Sequence, residues 1–333
     1  MIKKRTLILV AIIFILTGYF TAKNHNQNTS RMNQIQFYNS NIEPTDRITL
    51  VSSKNIYTLT SKKISQITNN TNLMEPISIG NNFAAIDKQT NYSSLVEYDS
   101  SGNRIKTLFD GNADKIDNML WISDPAVNAN GDKIAYVSDQ NRISTGIPDN
   151  ALFILNLLTN KTSTIALPDH YSGGIAHPVW DMANPNVLLY DYYQYTPITL
   201  EPYSTIMEYD RRTAYSFPLT TSKQNVFQSA LSPDGKDILF LLRNGNGLDV
   251  SMYVGNFTSN GIRNEVKLTS GDFAYPVFSN TLGYIYYLSA QGNEEYNLFK
   301  AKIVKNKLTD ITPITTNANL QGNSSYEIDP TEN

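Results

Sequence analysis

An all-β fold, a six-bladed propeller closed by its own two chain ends, is predicted by three features of the 333-residue sequence. From Arg47 onward, short apolar runs alternate with polar residues and are broken by Gly, Asn, Asp and Pro, and no long segment follows the 3.6-residue period of a helix. A group of four such runs recurs about every fifty residues, the size of one propeller blade. The series begins with three runs of a blade and ends with one, so the two ends together complete a sixth.

The elements follow in chain order. Met1 to Arg5 holds three positive charges and Thr6 to Ala22 holds none. As a helix these seventeen residues would be about 25 Å long, close to the thickness of a bilayer core. Residues 1–22 are therefore expected to be a signal anchor or signal peptide, with Lys3, Lys4 and Arg5 on the cytoplasmic side. Phe20 stands where a cleavage site ending at Ala22 wants a small residue, which favours the uncleaved anchor. Residues 23–46, rich in Asn, Gln, Ser and Thr, are expected to be a polar linker. The propeller is expected to fill residues 47–333.

Within it, the most apolar run appears six times, as RITLVS at 47, FAAID at 83, KIAYVSD at 133, VLLYDYY at 187, DILFLL at 237 and YIYYLS at 284. Each is followed by a second run and a turn, and preceded by a segment that usually carries Pro. The anchors Pro76, Pro125, Pro178, Ser229, Pro276 and Tyr326 lie 49, 53, 51, 47 and 50 residues apart. Asn130-Gly131 and Asp234-Gly235 sit between the first and second strands, where a tight hairpin needs residues that tolerate positive φ. Joining the first run of the last blade, Ser325 to Asp329, to the three runs from Arg47 to Thr68 closes the ring and removes its open edges.

The segment Leu231-Ser232-Pro233-Asp234-Gly235-Lys236-Asp237-Ile238-Leu239-Phe240 resembles the signature strand and turn of the TolB-type, WD40-like propeller repeat, and Val127 to Ser138 is a looser copy. The resemblance covers residues 47–333. It implies the six-bladed fold and likeness to TolB, to the propellers of prolyl-oligopeptidase-like peptidases and to oligogalacturonate lyases. The family's TolB members carry an additional α/β domain before the propeller, and no such domain is expected in residues 23–46.

Chemistry is constrained by what is missing. With no cysteine there is no disulfide scaffold, thiol nucleophile or thiolate metal site. The net charge is -3, and outside the N-terminal cluster 24 basic side chains face 30 acidic ones, so nucleic acid is not an expected partner. No G-x-S-x-G elbow, H-E-x-x-H helix, Walker loop or dinucleotide fingerprint is present, and no catalytic residue is assigned. The residues just before the anchors are Glu75, Asp124, His177, Gln228, Tyr275 and Ser325, and the repeat places each at the mouth end of an innermost strand. Two carboxylates and an imidazole on successive blades could coordinate a divalent cation or hold an amine. A solvated polar rim is the preferred reading, and no metal or other cofactor is expected. Tyr193 and Tyr195 are expected to be exposed for recognition, while Tyr190 and Tyr192 pack between blades. Trp121 and Trp180 are expected in core or channel packing.

These readings point to a monomeric, noncatalytic binding or scaffold module for a protein, peptide or envelope glycan. It would be anchored by one span in the bacterial cell membrane with its propeller extracytoplasmic, or secreted if the leader is cleaved. The alternative is a polysaccharide lyase or hydrolase acting at the channel mouth, with His177 as base or metal ligand.

Overall fold

Each predicted blade is a four-stranded antiparallel sheet in the computed structural model. The structure describes residues 35–333 apart from 70, 113–119, 141–149, 169–172, 196–201, 221–224, 244–249, 260, 291–295, 319, 321–325 and 331–333. The chain divides into Met1–Gln34, which lies outside the described residues together with the expected membrane anchor, and Ile35–Asn333. Among the described residues no helix is long and apolar enough to cross a membrane.

From the channel outward, blade I comprises Leu73–Ile79, Asn82–Lys88, Ser93–Tyr98 and Arg104–Phe109. Blade II comprises Ile122–Val127, Lys133–Ser138, Ala151–Asn156 and Lys161–Ala166, and blade III Gly173–Trp180, Val187–Tyr195, Pro202–Asp210 and Tyr215–Pro218. Blade IV is built from Asn225–Leu231, Asp237–Arg243, Val250–Thr258 and Gly261–Gly271, and blade V from Phe273–Phe278, Tyr284–Ala290, Tyr296–Val304 and Lys307–Pro313. Blade VI pairs Tyr326–Pro330 with Asp46–Ser52, then Asn55–Thr60 and Ile64–Gln66. The closing register runs from Asp46 opposite Pro330 to Leu50 opposite Tyr326, the mixed closure that the chain ends predict.

The second strands are the most apolar because both of their faces are buried. In blade I, Ala84 and Ile86 pack toward blade II, while Phe83 and Ala85 pack toward blade VI. In blade III, Leu188 and Tyr190 face blade II, and Val187 and Leu189 face blade IV. Repeating this around the ring produces six apolar clusters, one at each junction between blades. Small and large residues alternate in each wedge, as at Ala135 beside Tyr136, both fully buried. The hairpins behave as their sequences require: Gly131 and Gly235 adopt φ of 66° and 68°.

The boundary expected at Arg47 moves to Ile35. Gln36–Phe37 pairs with Thr315–Thr316, the Tyr38 N–H donates to the Ile314 carbonyl (2.8 Å), and Ile42 is only 2% exposed. Asp46 is fully buried and accepts from the Ser279 hydroxyl, the Asn280 N–H (2.9 Å) and the Tyr286 hydroxyl (2.9 Å). Lys300 of blade V pairs with Glu43 at 2.7 Å. Three apolar side chains, Ile35, Phe37 and Ile42, are enough to seat this otherwise polar stretch on the V/VI cluster.

Candidate functional site

A bulge interrupts the inner strand of each of blades I to V. In blade I, Met74 pairs with Ile86 and Ile77 with Ala84, so Glu75 and Pro76 together oppose one residue. The same two-for-one register recurs at Asp124-Pro125, His177-Pro178, Gln228-Ser229 and Tyr275-Pro276. The first residue of every bulge is left-handed: φ is 50° at Glu75, 49° at Asp124, 49° at His177, 50° at Gln228 and 49° at Tyr275. A left-handed non-glycine residue costs roughly 1–2 kcal/mol, so an offsetting interaction must hold each one.

That interaction is a circuit of hydrogen bonds from blade to blade around the channel. The Asp124 N–H donates to Glu75 Oε2 (2.6 Å), and the His177 N–H donates to Asp124 Oδ2 (3.3 Å). The Gln228 N–H donates to Asp191 Oδ2 (2.7 Å), and the Tyr275 N–H donates to Gln228 Oε1 (2.7 Å). Two bonds close the circle, from the Tyr326 hydroxyl to the Tyr275 carbonyl and from the Ser78 N–H to the Glu327 carboxylate. All six junctions are thus bridged by a polar side chain, and bonds to a charged acceptor contribute about 1.5–3 kcal/mol each.

His177 adds a link across the channel. Its Nδ1 lies 2.7 Å from Asp191 Oδ2, and its Nε2 lies 3.2 Å from the Tyr275 hydroxyl, two blades away. The two rings meet edge to face with centroids 5.3 Å apart. Burial alone would lower the His177 pKa. The charge of Asp124, the hydrogen bond and charge of Asp191 and the charge of Glu75 reverse that and raise it to about 9, so the ring is an imidazolium at neutral pH. As such it donates from both nitrogens. Burial, reinforced by the charge of Asp124, pushes Glu75 up to about 8. Burial also raises Asp191, against the pull of its bond to His177.

No family model and no curated protein matches the sequence. Solved structures do. TolB from Acinetobacter baumannii aligns at 12% identity and a TM-score of 0.58, over 82% of this chain and 67% of that one. A putative TolB from Agrobacterium tumefaciens aligns at 10% identity and a TM-score of 0.56, over 86% and 99% of the two chains. The fold is that of the TolB-type propellers. An oligogalacturonate lyase in complex with manganese is also similar, at 11% identity and a TM-score of 0.52, over 74% and 68% of the chains. At these identities the likeness establishes architecture alone.

In this TolB-like propeller, five of the six ring positions read from the sequence fall on the bulges, and Glu75, Asp124 and His177 are linked to one another directly. Ser325 lies outside the described residues; in blade VI the bridging groups are its neighbours Tyr326 and Glu327. Asp191 was not identified from sequence, although a signal was present. The residue opposite the one preceding each bulge is Ile86, Val137, Asp191, Leu241 and Leu288 in turn, an apolar column with one acid in it. Among the described residues, no group of three or more His, Asp or Glu side chains is arranged to hold a metal ion.

The aromatic loop is only partly described. Tyr190 is buried and Tyr192 half-buried against the II/III cluster. Tyr193, expected to be exposed, is half-buried because its ring folds over its cross-strand partner Gly174, where a Cβ would come within 2.6 Å of the hydroxyl. The side chain of Tyr195 lies outside the described residues. Trp180 packs in the core with its indole N–H on the Ala126 carbonyl (3.0 Å), whereas Trp121, expected to pack likewise, is 37% exposed.

Proposed function

We propose that this propeller is a noncatalytic, extracytoplasmic binding module, held at the bacterial membrane by its N-terminal segment, that docks a protein, peptide or envelope glycan at the channel mouth. The observation that supports it is the state of His177. A general base must be unprotonated at the working pH and must present a free nitrogen to substrate. His177 is an imidazolium whose two nitrogens are engaged by Asp191 and Tyr275. This arrangement favours the binding reading over the lyase or hydrolase reading, which relies on His177 as base or ligand. A mouth lined with fixed donors and acceptors is suited to recognising a polar partner. The uncharged run from Thr6 to Ala22 supports the anchored location.

The test uses the full-length protein. Incubated with polygalacturonate and with peptidoglycan fragments, it is expected to release no product. A partner retained from an envelope extract should bind the Asp124→Asn/His177→Gln double variant at least tenfold more weakly at a temperature where calorimetry shows that variant still folded. Turnover that disappears with His177→Gln would overturn the noncatalytic reading. A soluble mature protein starting at or after Lys23 would overturn the anchored one.

A further inference from the structure

We propose that the channel mouth binds a primary ammonium group, of a peptide N-terminus or a lysine side chain, docked against Glu75 and Asp124. The inference rests on the binding reading above and specifies the chemistry of what is bound. Four carboxyl groups, Glu75, Asp124, Asp191 and Glu327, lie on this circuit, and the cation hydrogen-bonded within it is His177. Both N–H groups of that imidazolium are directed to Asp191 and Tyr275, so neither serves Glu75.

Glu75 is only 8% exposed, yet one of its two carboxyl oxygens makes no hydrogen bond among the described residues; the other accepts from the Asp124 N–H. Asp191 Oδ1 is likewise enclosed and without a partner. An enclosed oxygen such as Asp191 Oδ1 calls for a donor, and a carboxyl group raised by a neighbouring carboxylate, as Glu75 is by Asp124, calls for positive charge. The charges of His177 and, more weakly, Lys88 act on Glu75, but less than burial and Asp124, and they leave the shift upward. An ammonium supplies three donors and a charge in one compact group. A neutral sugar would supply donors without charge. A divalent metal needs a convergence of ligands not found among the described residues. Seating the ammonium would draw the proton off Glu75, so binding near pH 7 releases a proton to solvent.

Titration calorimetry on the full-length protein with three probes tests this: trialanine amide, its N-acetyl derivative, and Nα-acetyl-lysine amide. At least one free-amine probe should bind, identifying N-terminus or lysine as the source, and acetylated trialanine should bind at least tenfold more weakly than the free form if the N-terminus is the group read. The binding heat at pH 7 should vary with the ionisation heat of the buffer, and Glu75→Gln should weaken binding at least tenfold and abolish that variation. Glutamine still accepts from the Asp124 N–H, so the fold is retained; Asp124→Asn provides the same comparison at the second carboxylate. No heat from either free amine at millimolar concentration, or equal affinity with and without acetylation, overturns the inference. Equal affinity that is nevertheless lost in Asp124→Asn/His177→Gln would sink the ammonium and leave the binding module standing.

Discussion

Two junctions of the ring solve the same problem differently. Between blades I and II, the bulge residue Glu75 accepts directly from the next blade's bulge N–H at 2.6 Å. Between III and IV, the bulge residue is His177, and Asp191 from the second strand accepts in its place at 2.7 Å. The first arrangement is the repeat's default, seen again at Asp124 and Gln228. The second costs a buried acid in an apolar column and gains an imidazole that reaches across the channel to Tyr275. Where the repeat is kept, the residue holds the ring together. Where it is broken in two places at once, a side chain is released for another task.

The largest effect is expected where the circuit depends on the chain ends. Removing residues 325–333 deletes the inner strand of blade VI together with the Tyr326 and Glu327 bridges. That protein should lose its single cooperative transition in calorimetry or aggregate on purification. A melting curve matching that of the parent would mean that the ring closes by other contacts.

Next comes the compensated junction itself. Asp191→Leu leaves His177 and the Gln228 N–H without their acceptor and should destabilise by about 3–5 kcal/mol in urea unfolding. Adding His177→Gln to it rebuilds the arrangement of blade IV, where Gln228 accepts and Leu241 occupies the column, and should restore most of that loss. Strictly additive losses would show that Asp191 and His177 are not exchangeable with the default.

A smaller effect tests the bulge alone. Ser229 takes the position held by proline in four other blades, and its buried hydroxyl has no partner. Ser229→Pro should therefore stabilise by about 1 kcal/mol. A loss of stability would show that blade IV's bulge differs from the others in conformation.

The architecture was legible because its period is enforced by geometry. Anchors such as Pro76 and Pro125 mark the second residue of a bulge that every blade but the last must form, and the apolar second runs mark strands buried on two faces. The ring positions were legible for the same reason, but their direction was not. Facing the channel, Glu75 and Asp124 read as a solvent rim, whereas each turns a carboxyl oxygen onto the N–H of the neighbouring blade. Asp191 was missed because its meaning depends on cross-strand register, which the sequence does not print. The seat of residues 35–46 was missed because three apolar residues among many Asn and Ser fall below any periodic signal.

The account turns on the charge of one imidazole. His177 is one of three histidines, so its resonances are assignable by their loss in His177→Gln. Its raised pKa should add stability that is fully present below about pH 6.5 and lost as pH climbs through about 9, while Glu75, also raised, makes stability fall between about pH 4.5 and 8. The direct measurement is a nitrogen-15 NMR titration of the His177 ring in the full-length protein. The account predicts both nitrogens protonated at pH 7 with a midpoint near 9, moved toward the ordinary histidine value in Asp191→Leu. A neutral ring at pH 7 with a midpoint at or below 6.5 would contradict it, and would return His177 to the pool of candidate bases.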